Sequence, residues 1–185
     1  MDISAPYIWM VTGPRQAGKT AFCQGMAEAA RQAGWEVAGL LSLAQFGQGI
    51  KTGILVEDLR TGDFHRLASI VRQCQNDLAF GDWYFDQQAL IWGNHVLENN
   101  PPCDLLILDE LGPLELTRQI GWQAALNVLR RGEYRLALVV IRPGLQELAR
   151  SLFYFSETIE IEQNQPTDHL LRTYLPKMMA LSNLL

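Results

Sequence analysis

A chain of 185 residues with 48% hydrophobic and 19% charged residues has the size and balance of one compact domain, not of a disordered chain. Its formal charge of −5 argues against a surface built to grip nucleic acid or anionic lipid. Three cysteines without C-x-x-C spacing and three scattered histidines offer neither a disulfide framework nor a readable zinc site.

The N-terminal region reaches only a short apolar run, Tyr7 to Val11. It is too short for a membrane helix and lacks the basic flank of a signal peptide, so a reducing cytoplasm is expected. The same run ends at a Gly-rich turn and reads as a strand buried on both faces. Phe22, Met26, Ala29 and Ala30 recur at helical spacing within Lys19 to Ala33, with Gly34 as the C-cap. Val37 to Leu43 is the next strand. From residue 44 to about 86 the texture changes, with Gly47, Gly49, Gly53 and Gly62 between short β-prone pieces such as Ile54-Leu55-Val56. Arg60-Thr61-Gly62-Asp63 has the composition of a hairpin turn, and the region reads as an antiparallel excursion.

Helical periodicity resumes over Gln87 to Glu98 and breaks at Pro101-Pro102. Leu105 to Leu108 is the most apolar strand and ends at Asp109-Glu110. Thr117 is the expected N-cap of a helix through Arg130, followed by a buried strand, Leu136 to Ile141. Pro143 to Ser151 reads as a short helix and Thr158 to Ile161 as a last strand. A helix from Pro166 closes the chain, and Pro176 is expected to kink or divide it. This alternation predicts a single α/β domain over 1–185, with three α/β/α layers, a mostly parallel sheet and a small antiparallel excursion.

Gly13-Pro14-Arg15-Gln16-Ala17-Gly18-Lys19-Thr20 matches G-x-x-x-x-G-K-[ST] between a predicted strand and a predicted helix. Glycines at this spacing let the backbone curl so that successive N–H groups face phosphate oxygens at the positive end of the helix. Lys19 then reaches the β- and γ-phosphates, and the Thr20 hydroxyl is a Mg²⁺ ligand. The nucleotide-binding positions are Gly13, Pro14, Arg15, Gln16, Ala17, Gly18, Lys19, Thr20 and Ala21.

Asp109, at the C-terminal end of a parallel strand, faces the crevice where open α/β sheets bind ligands, and is the second metal candidate. Glu110 is the candidate that orients or deprotonates an attacking water. Its adjacency to Asp109 suggests a strand inserted between the phosphate-loop strand and the acidic strand. Arg142 follows the strand Leu136 to Ile141 and is the first candidate for a cation on the γ-phosphate, with Arg15 as its rival. The other residues favour ordinary structural roles. Lys51 is a solvated strand position or a contact to base or ribose; Trp83-Tyr84-Phe85 is an apolar cover on the sheet; Glu115 is a first-turn helix carboxylate.

Gly13 to Thr20, the run Asp109-Glu110-Leu111-Gly112-Pro113-Leu114-Glu115-Leu116, and Asn164 to Leu171 together resemble the small P-loop nucleoside-triphosphatase family. Its members are single-domain enzymes of broad nucleotide preference. The family's acidic motif looks like D-E-I-G-x-M-E, with Leu111 and Leu114 here as conservative changes. Gly39-Leu40-Leu41-Ser42, followed by Gly53 and Asp58-Leu59, is similar in layout to its glycine-started strand and β excursion. The chain departs from the pattern at Leu40, Leu41 and Leu43-Ala44, at Lys51 in place of arginine, and at Arg15-Gln16 within the loop. The resemblance implies Mg²⁺-dependent hydrolysis of ATP, GTP and other nucleoside triphosphates to diphosphate and phosphate. Two other chemistries stay open on the same loop: phosphoryl transfer to an acceptor held by the excursion, and a nucleotide-gated module with a protein partner.

Overall fold

The apolar runs become interior strands because helices cover both faces of the sheet they form. The computed structural model describes residues 6–181. Strand β1 (Tyr7–Thr12) leads through the Gly-rich loop into α1 (Lys19–Gln32), and β2 (Val37–Gly47) follows. At Gln48-Gly49 both residues have positive φ, 50° and 78°, the two-residue turn whose twist suits a hairpin. It returns the chain as β3 (Ile50–Asp58), and β4 (Phe64–Ser69), β5 (Leu78–Phe80) and β6 (Trp83–Phe85) complete the excursion. Helix α2 (Gln87–Glu98) starts at Asp86, whose carboxylate caps the Gln88 and Ala89 N–H groups. Then come β7 (Cys103–Leu111), the short α3 (Pro113–Leu116), α4 (Gln123–Arg131) and β8 (Tyr134–Ile141). The chain continues through α5 (Gln146–Leu152), β9 (Glu157–Glu160) and α6 (Thr167–Ala180).

The sheet order is β5-β6-β4-β3-β2-β7-β8-β1-β9. Strands β2, β7, β8, β1 and β9 are mutually parallel, and the excursion adds antiparallel strands beyond β2. β8 lies between β1 and β7, the inserted strand that the Asp109-Glu110 pair suggested. Side chains alternate between two cores. Trp9, Val11, Leu105, Ile107 and Leu138 pack under α1 and α6, whereas Met10, Leu106, Leu108 and Val139 pack under α2 and α4. The result is a three-layer α/β/α fold. Among the described residues, no helix is long and apolar enough to cross a membrane.

Two helix expectations are corrected. Thr117 does not open a helix; it closes α3, and α4 begins only at Gln123. Between them Gln119 (φ 56°) and Gly121 (φ 75°) fold the chain back over Glu115, whose carboxylate accepts from the Gly112 and Trp122 N–H groups at 2.9 and 3.2 Å. Pro176 neither divides α6 nor ends it. It lies on the exposed side, where water can serve the carbonyl that proline leaves without a donor.

Glycine is required where β2 meets β7. Gly39 has φ +110°, and a Cβ there would stand 2.0 Å from the Ile107 carbonyl oxygen. That close approach lies just before Ser42 and Asp109, which hydrogen-bond to each other across the two strands.

Candidate functional site

The parallel strands end along one edge of the sheet, and the candidate residues gather there. β1 ends at Gly13, with φ +141° and no room for a Cβ against the Ile161 carbonyl, 2.2 Å away. The loop then turns through Gln16 (φ 61°) and Gly18 (φ 97°) into the first turn of α1. The Lys19 ammonium lies back along the loop and donates to the carbonyls of Gly13 and Pro14 at 2.8 and 2.6 Å. Burial lowers its pKa, against the opposing pull of Glu110 and Asp109.

Opposite the loop, the Asp109 carboxylate is almost fully buried, 2% exposed, and accepts from the Thr20 hydroxyl at 2.8 Å and the Ser42 N–H at 3.0 Å. The Ser42 hydroxyl donates to the Asp109 carbonyl at 3.0 Å. Burial pushes the Asp109 carboxyl up to about 6, while the Thr20 and Ser42 hydrogen bonds pull the other way. Ser42 thus belongs to the cluster, although the sequence reading had not singled it out as a site residue. A signal was present, because Ser42 follows the apolar run Val37 to Leu41 just as Asp109 follows Leu105 to Leu108.

Strand β7 does not stop at Asp109. Its pairing with β8 shifts register between Leu108 and Leu111, and Glu110 takes a left-handed φ of 93° within that bulge. Glu110 forms an ion pair with Arg142, which follows β8. The candidate base and the candidate phosphate cation therefore meet each other.

Gly13, Arg15, Gln16, Gly18, Lys19, Thr20 and Ala21 all line one cleft of about 1010 Å³, together with Asp109, Glu110 and Arg142. Pro14 and Ala17 belong to the loop but not to the cleft wall. The cleft continues beneath the excursion, where Lys51 and Trp83 also reach it. Tyr84 does not, and instead lies under the Arg72 guanidinium.

Glu115 is a buried carboxyl at the cleft floor, 5% exposed. Desolvation raises its pKa from the ordinary 4.5 to about 7, although the Gly112 and Trp122 amides oppose the shift. The folded state therefore holds this proton more tightly than the unfolded chain. Its stabilising contribution is complete below pH 4.5 and is lost as pH rises through 7, a change of about 3 kcal/mol. Denaturant titration at pH 5 and pH 8 should show that loss in the wild type and a clearly flatter dependence in Glu115→Gln. Equal pH slopes in the two proteins would contradict it.

The chain resembles known proteins in sequence and in fold. The sequence profile described as NTPase matches residues 8–165. A nucleoside-triphosphatase THEP1 from Caldivirga maquilingensis is 27% identical over 57% of this chain, and the chain spans 59% of that relative's length. One from Ignicoccus hospitalis is 28% identical over 77% of this chain and 80% of the relative. In fold, the chain is similar to the solution structure of a human cancer-related nucleoside triphosphatase, with a TM-score of 0.69 at 20% identity. That likeness covers 95% of this chain and 98% of the other. It is also similar to the crystal structure of THEP1 from the hyperthermophile Aquifex aeolicus, with a TM-score of 0.62 at 15% identity over 92% and 98%.

Proposed function

The chain belongs to the NTPase family, and from that premise we propose that it hydrolyses nucleoside triphosphates to diphosphate and phosphate with Mg²⁺. The observation that carries this reading is the Thr20 hydroxyl 2.8 Å from a buried Asp109 carboxylate, directly across from the phosphate loop. A hydroxyl and a carboxylate are hard oxygen donors of the kind that hold Mg²⁺ alongside substrate phosphates. A carboxyl raised by burial is also one that a divalent cation would return to its charged form. When bound, Mg²⁺ supplies positive charge to the β- and γ-phosphate oxygens.

The loop amides and Lys19 bind the same phosphates. Lys19 exchanges the Gly13 and Pro14 carbonyls for phosphate oxygens and so leaves a neutral for a charged partner. Arg142 moves its guanidinium from Glu110 to the γ-phosphate, and the freed Glu110 carboxylate takes a proton from the attacking water. The water oxygen bonds to the γ-phosphorus as the bond to the β–γ bridging oxygen breaks. The diphosphate leaves with its new charge held by Lys19 and the loop amides.

Phosphate release should be measured with ATP, GTP, CTP and UTP in Mg²⁺ and in excess chelator. Release is expected from several of these nucleotides in Mg²⁺ and should fall to background in chelator. Undiminished release in chelator would remove Thr20 and Asp109 from the metal role.

A further inference from the structure

The cleft is larger and more apolar than a triphosphate needs. At about 1010 Å³ it stands at the top of the roughly 300–1,000 Å³ range of single small-molecule sites. Its polar half is the phosphate loop with Asp109, Glu110 and Arg142. The other half is walled by Ile54, Leu67, Phe80, Trp83, Phe85 and Trp122, from the excursion and the segment before α4. Trp122 is 4% exposed, and its indole N–H has no hydrogen-bond partner among the described residues. That nitrogen is itself buried, against Gly93 of α2, so what the compartment offers a ligand is its apolar wall.

Strand order fixes where this compartment lies relative to the nucleotide. From β1, which carries the loop, one crosses β8 and reaches β7 with Asp109 before arriving at β2 and the excursion. The γ-phosphate belongs at the Asp109 end of the loop, since Thr20 and Asp109 serve the β- and γ-phosphates. The nucleoside then leads away from Asp109, and the compartment lies on the opposite side, beyond the γ-phosphate. This orientation rests on the hydrolytic reading above.

Lys51 stands where the two halves meet. Its ammonium lies 5.4 Å from the centre of the Trp83 ring, and no carboxylate of the described residues is within ion-pair distance. Burial lowers its pKa, and the fields of Glu110, Asp109, Arg142 and Arg15 all reach it. A half-buried cation against an aromatic wall suits an anionic group on a flat apolar body.

We propose that this compartment is a second ligand site, for a planar aromatic molecule bearing one anionic group, seated in line with the γ-phosphate and apart from the nucleoside. A molecule held there occupies the approach of the attacking water. It therefore lowers turnover without competing for nucleotide.

The test uses the full chain and two fluorescent probes, anilinonaphthalene sulfonate and the uncharged phenylnaphthylamine. With a non-hydrolysable ATP analogue and Mg²⁺ at saturation, the sulfonate should still bind at one per chain. In turnover it should lower kcat and leave the nucleotide KM within about twofold. Trp83→Ala and Phe80→Ala remove half-buried walls, and each should weaken both probes by roughly tenfold, the scale of a lost aromatic contact with its buried area. Lys51→Gln should weaken the sulfonate roughly tenfold and the uncharged probe less than twofold. Displacement of the probe by the ATP analogue would make the compartment the nucleoside's own pocket and overturn the proposal. Indifference of the sulfonate to all three substitutions would overturn it too. Lys19→Ala distinguishes this failure from that of the hydrolytic reading. If that variant still releases phosphate within tenfold of the wild type, the phosphate-loop assignment fails, whereas the probe titrations judge the compartment.

Discussion

Lys19→Ala is expected to abolish measurable Mg²⁺-dependent phosphate release, a fall in kcat/KM of at least about 10³, more than one lost donor at a developing charge usually costs. The ammonium sits where two loop carbonyls already show a donor is wanted, at 2.8 and 2.6 Å, beside the carboxylates of Asp109 and Glu110. No other lysine is within the loop, since Lys51 and Lys177 lie in β3 and α6. Lys19→Arg should not rescue, because a planar fork cannot replace a compact point charge inside the loop's curl. Lys19 is only half-buried, so the variant should fold, and its melting temperature should stay near that of the wild type. Release within tenfold of the wild type would show that the loop does not carry the reaction.

Glu110→Gln should leave nucleotide affinity within about threefold and lower kcat at least tenfold, towards the roughly 10²–10⁴ that general-base help contributes. Glutamine keeps the shape and the hydrogen bond from Arg142 but cannot accept the water's proton. Because Glu110 and Arg142 pair, their substitutions should not add. Arg142→Ala alone should lower turnover, and Arg142→Ala placed on Glu110→Gln should cost less than on the wild type. Full additivity would mean that the two act independently. Equal loss of affinity and turnover in Glu110→Gln would assign Glu110 to binding instead.

The most legible parts of the fold were those where backbone chemistry leaves few choices. A run as short as Leu105 to Leu108, bounded by Pro101-Pro102 and by Asp109-Glu110, reads as an interior strand; Gly13 and Gly18 both have φ values that favour glycine, and at Gly13 the Ile161 carbonyl also leaves no room for a Cβ. The less legible parts depend on contacts between distant segments. The α3–α4 loop is set by the Glu115 carboxylate reaching back to Gly112 and forward to Trp122, so propensity around Thr117 gave the wrong start. Ser42 joins Asp109 across 67 positions of sequence, brought close by the pairing of β2 with β7. The meeting of Glu110 with Arg142 depends on the β7 bulge, and bulges leave no periodic trace in sequence. The apolar half of the cleft was partly visible in Trp83 and Phe85. Their sharing of one space with the phosphate loop follows from strand order alone.

The left-handed backbone at Glu110 sets two demands on one position against each other. A residue with a Cβ at φ 93° costs on the order of 1–3 kcal/mol, and glycine would relieve that strain at once. Glycine would also remove the carboxylate that faces Arg142. Selection for robustness alone would favour glycine, and selection for turnover would favour glutamate. With the role proposed for Glu110, glutamate here is a local trade of stability for function, made within the sheet rather than in a surface loop.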